Sequence, residues 1–302
     1  MRRLAPAILL CLGLAGPAAA QGQVTLGFGR IFSNDLFGDG EDRWRTGSYT
    51  WSLVRGTGWD GARPETPFDV VDYRFRSEII APTRLNGAGL LARPYAGIFA
   101  VGLHTHYARG PLDVSLGSDV VFTGPQTRWS DIQAWFHELV DAPRMGVEGA
   151  QIEDGTHLSS TAEVAWPLHL GAETLLRPFV EAQAGVEQLV RAGADVLIGE
   201  IVRDSLLLRD PVTGHLYRGI EGEGSGFAYV LGADWTRIDD SLYLPEGGRA
   251  TLEPDRIRLR AGVHLQMGPQ TSFFYGATYL SEEFKEQPEG QVTGSLKFNV
   301  NF

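Results

Sequence analysis

The chain has one cysteine, Cys11, in 302 residues. That excludes a disulfide framework and a cysteine-based metal site. Positive charge is also scarce: 26 Lys and Arg stand against 37 Asp and Glu, for a net charge of −11. An acidic balance of this kind argues against nucleic acid as a partner. Beyond the first twenty residues no stretch approaches about 18 consecutive apolar residues, so no helical membrane span is expected. P-loop, His-Glu-x-x-His and Gly-x-Ser-x-Gly patterns are missing, which removes the nucleotide, zincin and α/β-hydrolase readings those motifs carry.

The N-terminus reads MRRLAPAILLCLGLAGPAAAQG. Arg2 and Arg3 form a basic start, Leu4 to Gly16 an apolar run, and Ala18-Ala19-Ala20 a cleavage site. This is the pattern of a secretory signal peptide over 1–20. The remaining residues, 21–302, are expected to form one domain. Without Arg2 and Arg3 the net charge moves from −11 to −13.

What is abundant is alternation. In QVTGSLKFNVNF, Val292, Leu296, Phe298, Val300 and Phe302 share one parity, and Thr293, Ser295, Lys297, Asn299 and Asn301 the other. In RIRLRAGVHLQM, Ile257, Leu259, Val263 and Leu265 oppose Arg258, Arg260, His264 and Gln266. Period two makes strands with one apolar and one polar face. Long polar side chains on the second face suit a barrel interior, and apolar residues with aromatics near strand ends suit lipid. His104 and His106 fall on the polar face too.

Twelve such strands are expected, near 23–32, 46–56, 67–80, 94–107, 111–122, 157–167, 174–186, 188–200, 226–238, 256–268, 271–284 and 291–302. The even number fits an all-β, twelve-stranded antiparallel transmembrane β-barrel in the outer membrane of a Gram-negative cell, surrounded by its lipids. The competing reading is a soluble β-sandwich. The terminal Phe302 resembles the last residue of barrels recognised by the barrel assembly machinery. With a periplasmic N-terminus, the loops at 33–46, 81–93 and 123–156 are extracellular. The insert at 201–225 is periplasmic, and no chemistry is read in it.

One extracellular segment is helical in pattern. In TRWSDIQAWFHELVDA, Trp129, Ile132, Phe136, Leu139 and Val140 form an apolar stripe. Gln133, His137 and Asp141 form a polar stripe beside it. The apolar face is expected on the barrel rim or in the outer leaflet. By themselves Asn34-Asp35 is a turn pair and His137 an interfacial histidine.

The ordered set IFSNDLFG, DRWRTG, ARPYAG and IQAWFHELV followed by QIED resembles the lipid A 3′-O-deacylase family of outer-membrane barrel esterases. The resemblance spans residues 21–302, with the specific motifs in the first half. It implies hydrolysis of the ester of the 3′-linked acyloxyacyl chain of lipid A in lipopolysaccharide, with calcium. Carried over, the catalytic residues are His137, Asn34, Asp35 and Thr46, with His137 as general base. Asp35 and Asn34 are the metal ligands, and Gln133, Arg84 and Arg93 are substrate contacts. The sequence departs from the family pattern in three places: Pro143 stands where an acid follows the histidine, with Asp141 nearby; a lysine of the second outer loop has no counterpart; and Gly47 follows Thr46 directly. A non-enzymatic channel or structural barrel, and a phospholipid esterase, are the alternatives.

Overall fold

The computed structural model describes residues 22–85, 93–139, 141, 146–147, 150–222, 224–268 and 271–300. The signal-peptide expectation, Pro143 and the terminal Phe302 lie outside the described residues. Twelve long strands form the wall: β1 (Val24–Asn34), β2 (Trp44–Gly56), β3 (Val70–Ala81), β4 (Ala96–Arg109), β5 (Leu112–Thr123) and β6 (Gly155–Ala165). They are followed by β7 (Thr174–Ala184), β8 (Glu187–Ile198), β9 (Gly226–Ser241), β10 (Asp255–Gln266), β11 (Thr271–Leu280) and β12 (Gln291–Val300). Each pairs antiparallel with its sequence neighbour, and β12 returns to β1 with Phe32 opposite Leu296, closing the ring. Closing the sheet on itself is what lets strands, rather than helices, span a membrane. No described helix is long and apolar enough to do so.

The alternation read from the sequence sorts the two faces. On β10, Ile257 and Leu259 are half-exposed at 47% and 49%, whereas Arg258 and Arg260 are buried at 5% and 4%. On β9, Tyr229, Leu231 and Trp235 face out, while Asp234 and Thr236 face in. The interior is polar and packed. Asp195 accepts from Arg260 Nε and Arg209 Nη2, both at 2.9 Å, and Asp234 accepts from Arg258 Nε at 3.0 Å. Each carboxylate thus faces more than one guanidinium, which offsets the cost of holding charge away from bulk water.

Arg209 belongs to the insert, and here the structure corrects the expectation. The insert is expected on the periplasmic side, but its segments Leu206–Arg209 and Leu216–Ile220 fold back into the lumen as a hairpin, every residue of which is buried. Leu206, Leu208, Tyr217 and Ile220 pack on Ile31, Val54, Val70 and Phe274 of the wall. Its polar groups meet wall polar groups: Thr50 Oγ1 donates to Asp210 at 2.9 Å, and the Ser52 and Tyr217 hydroxyls are 2.9 Å apart. His264 Nε2 lies 3.1 Å from the Leu216 carbonyl oxygen, and His104 and His106 bond Asp119 and Ser115. Around the hairpin tip at Pro211, lumen cavities of about 50, 40 and 50 Å³ have several Arg and carboxylate side chains in their walls and room for a few waters each.

The hairpin is a plug, and Arg209 ties it to the wall through Glu163 and Asp195. Arg209→Met is expected to lower barrel stability by about 3–5 kcal/mol, read as a lower temperature for the heat-induced shift of the folded band on an electrophoresis gel. In planar bilayers the parent protein is expected to show no steady open-pore current, and the variant to show one.

Candidate functional site at the outer rim

The β1–β2 loop and a helix from the β5–β6 loop meet at one rim of the barrel, the one expected to be extracellular. The helix, α1, spans Trp129–Leu139. Its placement is set by Gly97 of β4: a Cβ there would sit 2.4 Å from Thr127 Oγ1 and 2.7 Å from Trp129 Cβ, so a side chain at 97 would push the helix start off the wall. The segment after the helix is tied back as well, since Tyr95 N donates to Ala150 O at 2.9 Å and Ile152 N to Tyr95 O at 2.8 Å.

With its start fixed, α1 turns its polar stripe inward. Gln133 and His137 are buried, whereas Ile132, Trp135, Phe136 and Leu139 are 43%, 62%, 53% and 66% exposed. The apolar face continues the lipid-facing wall: the Trp129 ring packs on Phe99 at 5.7 Å, and Phe99 on Phe75 at 5.8 Å.

Asp42, which sequence reasoning left unassigned, joins helix and hairpin. His137 Nε2 is 2.9 Å from Asp42 Oδ2. Gln133 Nε2 donates to Asp42 Oδ1 at 3.2 Å and accepts, through Oε1, from the Tyr95 hydroxyl at 3.0 Å. Thr46 Oγ1 is 2.6 Å from Asp42 Oδ1 and 3.1 Å from Asp35 Oδ1. Of the expected residues, the structure therefore brings together His137, Gln133, Thr46 and Asp35. Asp42 was on view in the DRWRTG motif; its place at the centre depends on a chain bend that composition does not announce.

Asp35 is almost fully buried. Its Oδ2 accepts from Arg43 N at 3.0 Å and from Gln291 Nε2 at 3.4 Å. Gln291 opens β12 and also donates to Arg43 O at 2.7 Å; it too escaped the sequence reading. Burial, with the Asp42 charge adding to it, pushes the Asp35 carboxyl up to about 7. The single Thr46 hydrogen cannot serve both carboxylates, so protonated Asp35 fits as donor to Thr46 Oγ1, with Thr46 donating to Asp42.

Asn34 stands beside this cluster. Its Oδ1 accepts from Leu36 N at 2.8 Å, and its Nδ2 occupies space left by Gly47, 3.2 Å from where a Cβ would be. The two arginines lie apart. Arg84 is exposed. Arg93 is 1% exposed, paired with Glu283 and 5.6 Å above the Phe284 ring, so its charge is used inside the protein.

Calcium takes hard oxygen donors. Among the described residues no three His, Cys, Asp or Glu side chains gather as a metal site. Two carboxylates, those of Asp35 and Asp42, do converge on the Thr46 hydroxyl. Asp35, Asp42 and Thr46 thus suit a hard cation, whereas Asn34 Oδ1 is engaged by backbone.

A plugged, closed twelve-stranded antiparallel barrel of this kind is an outer-membrane β-barrel. The chain belongs to the family of the outer membrane protein LpxR, whose model matches residues 7–302; this is the family that the sequence motifs resemble. Among solved structures, LpxR from Salmonella typhimurium is similar with a TM-score of 0.77 at 17% identity, covering 91% of this chain and 100% of that one. The β domain of the Bordetella autotransporter BrkA gives a TM-score of 0.45 at 12% identity, covering 93% and 100%. No curated protein sequence matches significantly.

A carboxyl with a folded pKa above its unfolded value takes up a proton on folding between the two, so stability falls as pH rises through that window. For Asp35 the window runs from 3.8 to about 7. Thermal unfolding of the solubilised protein without divalent cations should show this loss, and Asp35→Asn should flatten it.

Proposed function

We propose that this protein is an outer-membrane lipid A deacylase that hydrolyses the ester of the 3′-linked acyloxyacyl chain. Membership of the LpxR family supports the reading at the level of substrate. The observation that carries it is the His137–Asp42–Thr46–Asp35 chain of contacts, closed by distances of 2.9, 2.6 and 3.1 Å at the rim. The plugged lumen argues against a channel.

An ionised Asp42 only accepts hydrogen bonds, so a proton of His137 sits on Nε2, and Asp42 orients the imidazole that serves as the base toward water. Asp42 then stabilises the imidazolium that forms. Gln133, held by Tyr95, keeps Asp42 in place from the other side. The Asn34 amide is a donor available to the ester carbonyl at the same rim. Asp35, Asp42 and Thr46 would hold calcium, which when bound supplies positive charge against the oxyanion. Presentation of the substrate follows from α1: its apolar face lies among acyl chains while His137 on the opposite face meets the headgroup level.

The test is mass spectrometry of lipid A from cells expressing the protein. Loss of the 3′ acyloxyacyl chain is expected; unchanged lipid A would reject the reading. His137→Ala should leave a folded, heat-modifiable barrel whose deacylation falls by about 10²–10⁴-fold. Chelation of divalent cations should also suppress activity, and calcium restore it; full activity in chelator would remove the metal from the scheme.

A further inference from the structure

Asp42 and Thr46 are four residues apart. In an extended strand that separation spans about 13 Å, yet their side chains meet at 2.6 Å. The chain must bend between them, and the midpoint residue is Trp44, with φ of +55°. This is the left-handed region, which a bulky side chain rarely adopts. The β2–β3 register also shifts between Trp44 and Gly47. A tryptophan in such a backbone persists only where its surroundings hold it.

They do so from several sides. Trp44 is fully buried against Leu244, Ala250 and Phe284, with Leu252 beside them. These residues come from the β9–β10 and β11–β12 loops, which a bridge between Leu252 and Phe284 joins. The indole Nε1 donates to Thr83 Oγ1 at 3.1 Å, from the β3–β4 loop. The Arg43 guanidinium lies 4.2 Å over its ring. Arg93 secures the far wall of the socket, pairing with Glu283 and covering Phe284.

We propose that Trp44 is the positioning residue of this site: its socket in three other extracellular loops holds the left-handed bend that folds Asp42 back onto Thr46 and toward His137. The role of the bend in catalysis rests on the deacylase reading; its role in shaping the cluster does not. Trp44 touches no reacting atom and acts through Asp42 and Thr46. The β9–β10 and β11–β12 loops, which supply none of the cluster's side chains, thereby govern its geometry. Arg93, expected as a substrate contact, serves as a clamp on the socket.

The experiment uses full-length Trp44→Ala, Trp44→Phe and Phe284→Ala in detergent, with two readouts. The first is kcat and KM on lipid A. Trp44→Ala and Phe284→Ala should lose kcat by about 10²-fold with KM within twofold, and Trp44→Phe should recover most of it. The second is the crystallographic His137 Nε2–Asp42 Oδ2 distance, expected to lengthen beyond hydrogen-bond reach in both alanine variants. A folded alanine variant that keeps the bond and retains kcat within twofold overturns the proposal. If Trp44→Ala does not fold, Phe284→Ala, which leaves the site's own segment intact, decides alone. If the parent protein leaves lipid A intact, the substrate reading fails, and the distance measurement still decides the positioning role.

Discussion

In hydrocarbon every backbone N–H and C=O must find its partner within the protein, and the rest of this structure depends on how that requirement is met. Pairing of β12 with β1 closes the sheet. Closure divides each strand into a lipid face and a lumen face, and the sequence commits apolar residues to the first. All remaining polarity then goes inward or to the rims. Arg258, Arg260, Asp195 and Asp234 are the consequence: they are buried because the strand parity leaves them nowhere else to go.

A lumen built this way needs its charges matched and its volume filled. Wall residues alone do not suffice, since Glu163 and Asp195 both take a partner from Arg209 of the plug. The hairpin also brings Leu206, Leu208 and Ile220 onto wall residues that would otherwise line water. A channel would keep such a lumen open and place its chemistry along it. Here the interior is packed, and the polar cluster of His137, Asp42, Thr46 and Asp35 lies at the rim, where loops can be shaped without disturbing the ladder.

The wall was legible in the sequence because period two is a local signal repeated twelve times. The helix was legible for the same reason, its polar stripe of Gln133 and His137 marking the face that turns inward. The plug was not: Leu206–Arg209 and Leu216–Ile220 are buried on both faces, so no alternation betrays their surroundings. Arg93 misled because an unpaired arginine in an outer loop looks available, whereas its partner Glu283 lies 190 residues on. Asp42 was visible as a motif residue, but its role comes from the fold of the chain between it and Thr46, which no residue type encodes.

The rim solves a problem that a lumen site would face. An amphiphilic substrate resting in the outer leaflet does not have to leave it: the ester and the apolar chains lie at different depths, and a site at the boundary meets both. That demands one element with two environments, and α1 is such an element, with Phe136 and Leu139 on the exposed side and His137 on the buried one. A single helix cannot hold its own histidine rigid, so the fixed point has to come from the barrel. Asp42 supplies it, anchored through Thr46 to a strand that the closed ladder immobilises. The apparent weakness of the loop sequence, a run of Gly, Asp and Arg residues, is therefore no guide to its order. The loop is held from the strand below, the helix above and the neighbouring loops at its side.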